Sequence, residues 1–240
     1  MRLLLLFLVS ILPFANAYCQ GKVAFYAGVS KVLNAKAIKE TDYSDEKFPP
    51  GSAFGISYLR NSTKQISFFA SAGFIKKGFL RQTASPDNSY YTKISINYLY
   101  FTPQVSFKFS GIKNSNIFLT AGPYIASPLS GKEYGVWSTI AGPRTYNTRI
   151  TFRNSKDNNT GQVQISNFDF GVNSSLIYQR NRFGIMLSWQ GGLKTINTYI
   201  PFSEFNKKYR NNTIELCLFY QVDLVKHKVK KSSIKCVPIQ

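Results

Sequence analysis

Residues 115–132 read "SNIFLTAGPYIASPLSGK". Ile117, Leu119, Ala121 and Ile125 share one parity, and Phe118, Thr120, Gly122, Tyr124 and Ala126 share the other. Successive residues of a strand point to opposite faces. The stretch therefore predicts a long strand with one oily face and one face of small and polar groups. Neither face carries a charge, so the fold turns on which solvent the oily face meets.

The same period-two alternation recurs along the chain, with no helical period of comparable length. "KVAFYAGVS" sets Val23, Phe25, Ala27 and Val29 against Ala24, Tyr26, Gly28 and Ser30. "AFGISYL" sets Phe54, Ile56 and Tyr58 against Ala53, Gly55 and Ser57, and "QISFFASAGFI" sets Ile66, Phe68 and Phe74 against Ser67, Phe69 and Gly73. The fourth segment, "TKISINYLYFTPQVSFKF", changes parity between Ile94 and Ile96 and the later Val105, Phe107 and Phe109. A bulge near Pro103 would put all five on one face. After the opening stretch come "ISNFDFGVNSSLIY", "RFGIMLSWQGG" and "TIELCLFYQV", with Phe168, Phe170, Val172, Leu176, Ile185, Leu187, Leu216 and Leu218 on their oily faces.

That makes eight predicted strands. Short turns ("RNSTK", "SGIKNSN", "QRNR") alternate with long polar connections, the longest between Pro128 and Gln164. Within it, "TRITFRNSKDNNTGQVQIS" reads as a hairpin of its own, which could extend strands beyond the barrel wall or, over residues 145–165, add two strands to make ten.

Strands of about ten residues match a tilted crossing of a bilayer, whereas soluble strands average five or six. Short turns at one end and long loops at the other are the pattern of outer-membrane barrels. The oily faces carry no Lys, Arg, Asp or Glu, and a Lys or Arg at a bilayer midplane costs about 2–4 kcal/mol. The predicted class is thus all-β, a closed antiparallel transmembrane barrel of eight strands, with periplasmic turns and extracellular loops. A soluble exported barrel of lipocalin type, with the two faces exchanged, is the competing fold. Small residues inside suit a narrow lumen filled by side chains. On the inner faces Lys93, Lys108, Asp169, Arg182 and Glu215 are expected to form an interior charge network, and Tyr58, Tyr178, Trp189 and Tyr220 to lie in interfacial belts.

The N-terminus, "MRLLLLFLVSILPFANAYCQ", has one basic residue, an apolar run broken at Pro13, and a small-x-small site at Ala15–Ala17. It predicts a signal peptide over 1–17, followed by a barrel domain over 18–224 and a basic periplasmic tail over 225–240. Export governs how the net charge of +19 is read. The anions outside a cell are lipid and glycan groups, so lipopolysaccharide and outer-membrane lipid are the expected partners, with a periplasmic or secretion-system protein as a further candidate, and nucleic acid is not. Lys76, Lys77, Arg81, Arg144, Arg149, Arg153, Lys207, Lys208 and Arg210 are the loop cations expected to contact lipopolysaccharide phosphates.

Catalytic chemistry finds little support. A Ser/His/acid arrangement needs a histidine beside the nucleophile, and the single histidine, His227, lies in the basic tail. Asp169 and Glu215 read more simply as interior ion-pair partners. No phosphate-binding loop, no C-x-x-C and no zinc spacing occurs, and no cofactor is implied.

In order along the chain, "NYLYFTPQVSFKF", "FLTAGPYIASPLSGK", "FDFGVNSSLIY", "FGIMLSWQGGLKTIN" and "NNTIELCLFYQV" resemble the small outer-membrane barrels of Gram-negative bacteria labelled the porin family or PorT-like. The resemblance covers about residues 21–224 and implies an eight-stranded barrel with no shared activity. The chain departs from such barrels at its end, where "VKHKVKKSSIKCVPIQ" follows the last strand. With an even strand number both termini lie at the periplasmic end, and Cys19 and Cys236 flank neighbouring strands; a disulfide between them is expected. The function expected is non-enzymatic: binding, adhesion, or a scaffold in a secretion assembly. A narrow channel and a soluble periplasmic binding barrel are the alternatives.

Overall fold

The computed structural model describes residues 21–33, 50–61, 65–84, 89–109, 115–139, 142–152, 164–199 and 210–223. The signal segment, Cys19, Cys236 and the basic tail lie outside them.

The described chain forms β1 (Gly21–Val32), β2 (Gly51–Asn61), β3 (Ile66–Ala84), β4 (Ser89–Phe109), β5 (Ser115–Thr139), β6 (Gly142–Arg149), β7 (Thr151–Phe152), β8 (Gln164–Ile165), β9 (Asp169–Arg180), β10 (Phe183–Thr195), β11 (Asn197–Tyr199) and β12 (Arg210–Asp223). Eight of these pair in the order β4-β3-β2-β1-β12-β10-β9-β5, and β4 pairs with β5, so the sheet closes on itself as a ring. Every partner in the ring is antiparallel. The first and last strands are neighbours, and a salt bridge of 3.7 Å from Lys22 to Asp223 joins their ends.

β2, β4 and β9 finish, and β3, β5 and β10 begin, at the end that holds Gly21 and Asp223. The opposite end differs. There the ring is lopsided: β3, β4 and β5 run 19, 21 and 25 residues, against 12 for β1 and 11 for β2.

Three expectations are corrected here. Within residues 76–91, expected as a long loop, Lys76–Ala84 and Ser89–Tyr91 are strand, paired out to Ala84↔Ser89. Lys76 and Lys77 end the alternation of oily and small residues, while backbone pairing continues. There is no bulge at Pro103: β3 and β4 keep one register throughout, and the shift lies in β5, between Pro128 and Ser130. Pro103 instead faces Pro123, two residues without an N–H to donate, and the β4–β5 pairing lapses between Phe101↔Ile125 and Val105↔Ala121. With no change of parity, Ile94 and Ile96 are buried on the inner face. Finally, residues 145–165 add no strands to the ring. β6 pairs along the projecting part of β5. β7 and β8 form, with β11, a small separate sheet at the same end.

The oily parity faces outward on all eight ring strands. Phe25, Val29, Phe54, Ile56, Phe68, Phe74, Val105, Phe107, Leu119, Val172, Leu176, Ile185, Leu187, Leu216 and Leu218 are all exposed. Inward lie Ser57, Ser71, Thr102, Gln104, Thr120, Asn173, Ser175, Ser188, Gln190, Thr213 and Glu215, all buried. The inner wall admits bulky rings by setting glycine across from them. Tyr26 faces Gly55, Gly55 faces Gly73, and Gly73 faces Tyr100, in one inward row across four strands. The two tyrosine hydroxyls meet over the glycines at 2.8 Å. Tyr124 likewise lies against Gly171, its cross-strand neighbour.

A side chain at Gly73 would put its Cβ 2.5 Å from the Tyr26 hydroxyl. Gly73→Val should destabilise the ring by about 1–3 kcal/mol through overpacking, seen as a lower temperature for conversion of the compact band to the unfolded position on a gel.

Candidate functional site

Two places gather chemistry-bearing residues: the lumen, and a cleft on the outer wall.

In the lumen, Lys77 is 3% exposed, and Asp169 and Glu215 are 1% exposed each. The Lys77 Nζ donates to Gln190 Oε1 at 3.0 Å, and Gln190 Nε2 donates to Glu215 Oε1 at 2.5 Å. The other oxygen of Glu215 accepts from the Tyr100 hydroxyl at 3.3 Å. Asp169 Oδ2 accepts from Asn211 Nδ2 at 2.7 Å and from the Tyr124 hydroxyl at 3.1 Å. The ammonium also lies 5.4 Å from the ring centre of Tyr98 and 5.6 Å from that of Tyr124. One cation is thus shared between two carboxylates through amide and phenol groups. Charges removed from water survive only when hydrogen-bonded in this way.

Nearer the short turns a second layer is neutral. Gln104 donates to Asn173 and accepts from the Thr120 hydroxyl at 3.0 Å; Ser175 and Ser188 bond at 2.8 Å. Below it, Phe69, Phe118, Ile177 and Met186 surround a cavity of about 30 Å³, room for a water molecule. At the opposite end Ile94, Ile96, Ile150, Ile165 and Ile196 belong to one buried apolar cluster, to which the small sheet contributes Ile165. The lumen is filled rather than open.

The residues expected in an interior charge network divide. Asp169 and Glu215 lie in the lumen, but Lys93, Lys108 and Arg182 are exposed. Lys93 follows from the unbroken parity of β4: with Ile94 inside, its neighbour must point out. Lys108 is near the end of β4, and Arg182 is in the turn after β9. Their place is taken by Lys77, which was expected on a loop to contact lipopolysaccharide. That expectation is corrected by the extension of β3, which carries Lys77 on the inward parity beside Ile75. An alternation count continued past Phe74 would have found it.

Of the other loop cations, Lys76, Arg144, Arg149 and Arg210 are exposed. Arg81 lies on β3, and Arg153, Lys207 and Lys208 fall outside the described residues. Lys76 and Arg149 come together with two cations that the sequence reading did not assign to this role, Lys93 and Lys132. The four line a cleft of about 950 Å³ on the outer wall of β3–β6, with Asn97, Ser130, Tyr134 and Asn147 between them. Lys132 is directly opposite Arg149. No carboxylate lines the cleft. Glu133, next to Lys132 in sequence, points to the other face, where it accepts from the hydroxyls of Tyr146 at 3.2 Å and Thr148 at 3.3 Å. Burial pushes its carboxyl above the ordinary range, against the pull of those hydroxyls. Among the described residues the acids are thus Asp169, Glu215 and Glu133, all buried, and Asp223 at the far end of the ring.

The chain matches no family model and no curated protein. Among solved structures it is similar to Ail, the attachment invasion locus protein of Yersinia pestis, at 12% identity over 85% of this chain and 99% of that one, with a TM-score of 0.33. It is similar also to the same protein in complex with the heparin analogue sucrose octasulfate, at 13% identity over the same shares, with a TM-score of 0.34. At these values the likeness bears on neither mechanism nor ligand.

Lys77→Met would leave both lumen carboxylates buried beside an apolar side chain. It should cost about 3–5 kcal/mol, read as loss of the heat-resistant compact form. Adding Glu215→Gln should restore part of the difference.

Proposed function

We propose that the chain is a non-enzymatic β-barrel of the outer membrane of a Gram-negative bacterium. It would be exported by the segment 1–17 and serve in surface binding, adhesion or as a scaffold of a secretion assembly. The observation that carries this reading is the apolar band around the ring, with Lys31, Arg60 and Arg180 at its margins. On β3 it runs through the outward positions from Ile66 to Phe74, on β10 from Phe183 to Trp189, and on β12 from Ile214 to Val222. Strands of about ten residues, at ~3.3 Å per residue and tilted ~40°, give a band of ~25 Å, the height of an acyl-chain layer in such membranes. Water-soluble proteins rarely expose a continuous apolar patch beyond a few hundred Å². A ring of strands also pairs its wall amides internally, as lipid requires, apart from the lapse between β4 and β5 around Pro103 and Pro123.

The short turns and the end of the ring that holds Gly21 and Asp223 then face the periplasm, and the tall β3–β6 wall with its cations faces outward, toward lipopolysaccharide. The filled lumen argues against passage of solutes, and the two lumen carboxylates are engaged by tyrosine, glutamine and asparagine.

The test is fractionation without detergent, followed by gel migration with and without heating. The protein should sediment with outer membranes and migrate as a compact band that shifts on boiling. Recovery in the soluble fraction would overturn the proposal. In planar bilayers the purified protein should give no stable unitary currents; steady channels would replace the binding role with conduction.

A further inference from the structure

We propose that the outer cleft of β3–β6 is a binding site for the phosphorylated headgroup of an outer-leaflet glycolipid lying beside the barrel, rather than for a soluble ligand above it. The inference rests on the membrane reading and adds the site.

Its position is the first argument. The outward residues below the cleft are Phe74 on β3, Leu99 and Phe101 on β4, and Leu129 on β5, the upper edge of the apolar band. The next outward residue on β3 is Lys76, paired with Asn97. Lys132 follows Leu129 just past the β5 register shift, and Arg149 lies across from it. The cations thus begin within one pleat of the acyl layer and face sideways, at the level where a lipid's phosphates lie. A ligand arriving from solution would meet the strand tips and connections first.

The charge arrangement is the second. Like charges directly opposite on a sheet face are destabilising, and Lys132 opposite Arg149 is such a pair. With Lys76 and Lys93 added, and no acid among the described residues lining the cleft, the site gathers positive charge that a bound anion relieves. A lysine ammonium serves as a point charge, and an arginine guanidinium can take two phosphate oxygens at once. Asn97, whose Nδ2 donates to Ser130 Oγ at 2.9 Å, and Ser130 supply neutral groups for sugar hydroxyls between the cations. Four cations spread over a cleft of about 950 Å³ exceed what one inorganic anion needs and fit a headgroup with more than one phosphate.

The test uses the full mature chain, purified from outer membranes in mild detergent. It is titrated with a diphosphorylated lipid A, with the same lipid stripped of phosphate, and with inorganic phosphate, binding being read by native mass spectrometry. The diphosphorylated lipid should bind, and the double substitution Lys132→Ser/Arg149→Ser should weaken it about thirtyfold, from the loss of two headgroup-level cations. Lys93→Ser should weaken it less, and Arg210→Ser, outside the cleft, should not. Each variant's heat-shifted gel band reports that the barrel is intact. Equal binding by the double variant with the band retained overturns the site while leaving the membrane reading standing. Equal binding of the phosphate-free lipid, or displacement by inorganic phosphate at matched concentration, overturns the headgroup assignment. A protein that never sediments with membranes overturns both readings.

Discussion

The pairing of β4 with β5 is what the rest of the molecule answers to. Without it the sheet would be an open ribbon with two unpaired edges, which in water invites aggregation and in lipid leaves amides with no partner. With it every ring strand has two neighbours, and the inner and outer faces become separate environments. The outer face need satisfy only its surroundings, so it can be apolar and nearly featureless. The inner face must fill a narrow tube and give its buried polar groups partners. This division explains why one parity of each strand is Phe, Leu, Ile and Val, while the other mixes Gly, Ser, Thr, Gln and Tyr.

Filling the tube sets finer rules. A ring of eight strands is too narrow for bulky side chains at every inward position. The Tyr26–Gly55–Gly73–Tyr100 row meets this by alternating rings and bare backbone across neighbouring strands. The rings then bring hydroxyls into the middle, where Tyr100 reaches Glu215 and Tyr124 reaches Asp169. Aromatic bulk and polar satisfaction are thus supplied by the same residues. Lys77 sits where both carboxylates can use it, so the interior holds few charges and each has hydrogen-bond partners.

Much of this was legible as alternation. The outward parity of seven segments follows directly from which positions are oily, because burial and exposure are both set by a period of two. The reading failed where hydrophobicity stopped marking the faces. Beyond Ile75 the sequence of β3 runs Lys76, Lys77 and Gly78, with no oily residue there to mark either face, and the strand looked like a loop although its backbone pairing runs on to Ala84. That single misjudged boundary put Lys77 outside when it is inside. A parallel error at Ile94 and Ile96 invented a bulge, because an apolar residue was taken to mean an outward one. Those isoleucines sit above the polar lumen layers, in the apolar cluster at the tall end, where oily side chains face inward. The outer cleft was hidden for a different reason. Lys76, Lys93, Lys132 and Arg149 are spread over 74 positions of sequence and converge only through the registers of four strands.

The two ends of the ring differ in a way that follows from this pairing. At the short-turn end the strands stop near the edge of the apolar band, and a Lys22–Asp223 pair joins the first strand to the last. At the other end β3, β4, β5 and β6 continue past the band as a four-stranded wall, while β1 and β2 end lower. A wall standing on one side only has two unlike faces. Its inner face packs against the apolar cluster that caps the lumen, which gives the projecting strands a reason to stay ordered. The acid of the β5–β6 hairpin, Glu133, is consumed on that side by Tyr146 and Thr148. The outer face is left with lysine and arginine and no described carboxylate to offset them. The same alternation that separates oil from polar groups in the band separates acid from base above it. Four of the chain's 30 basic residues thereby come together on the outer face of the wall, apart from any described acid.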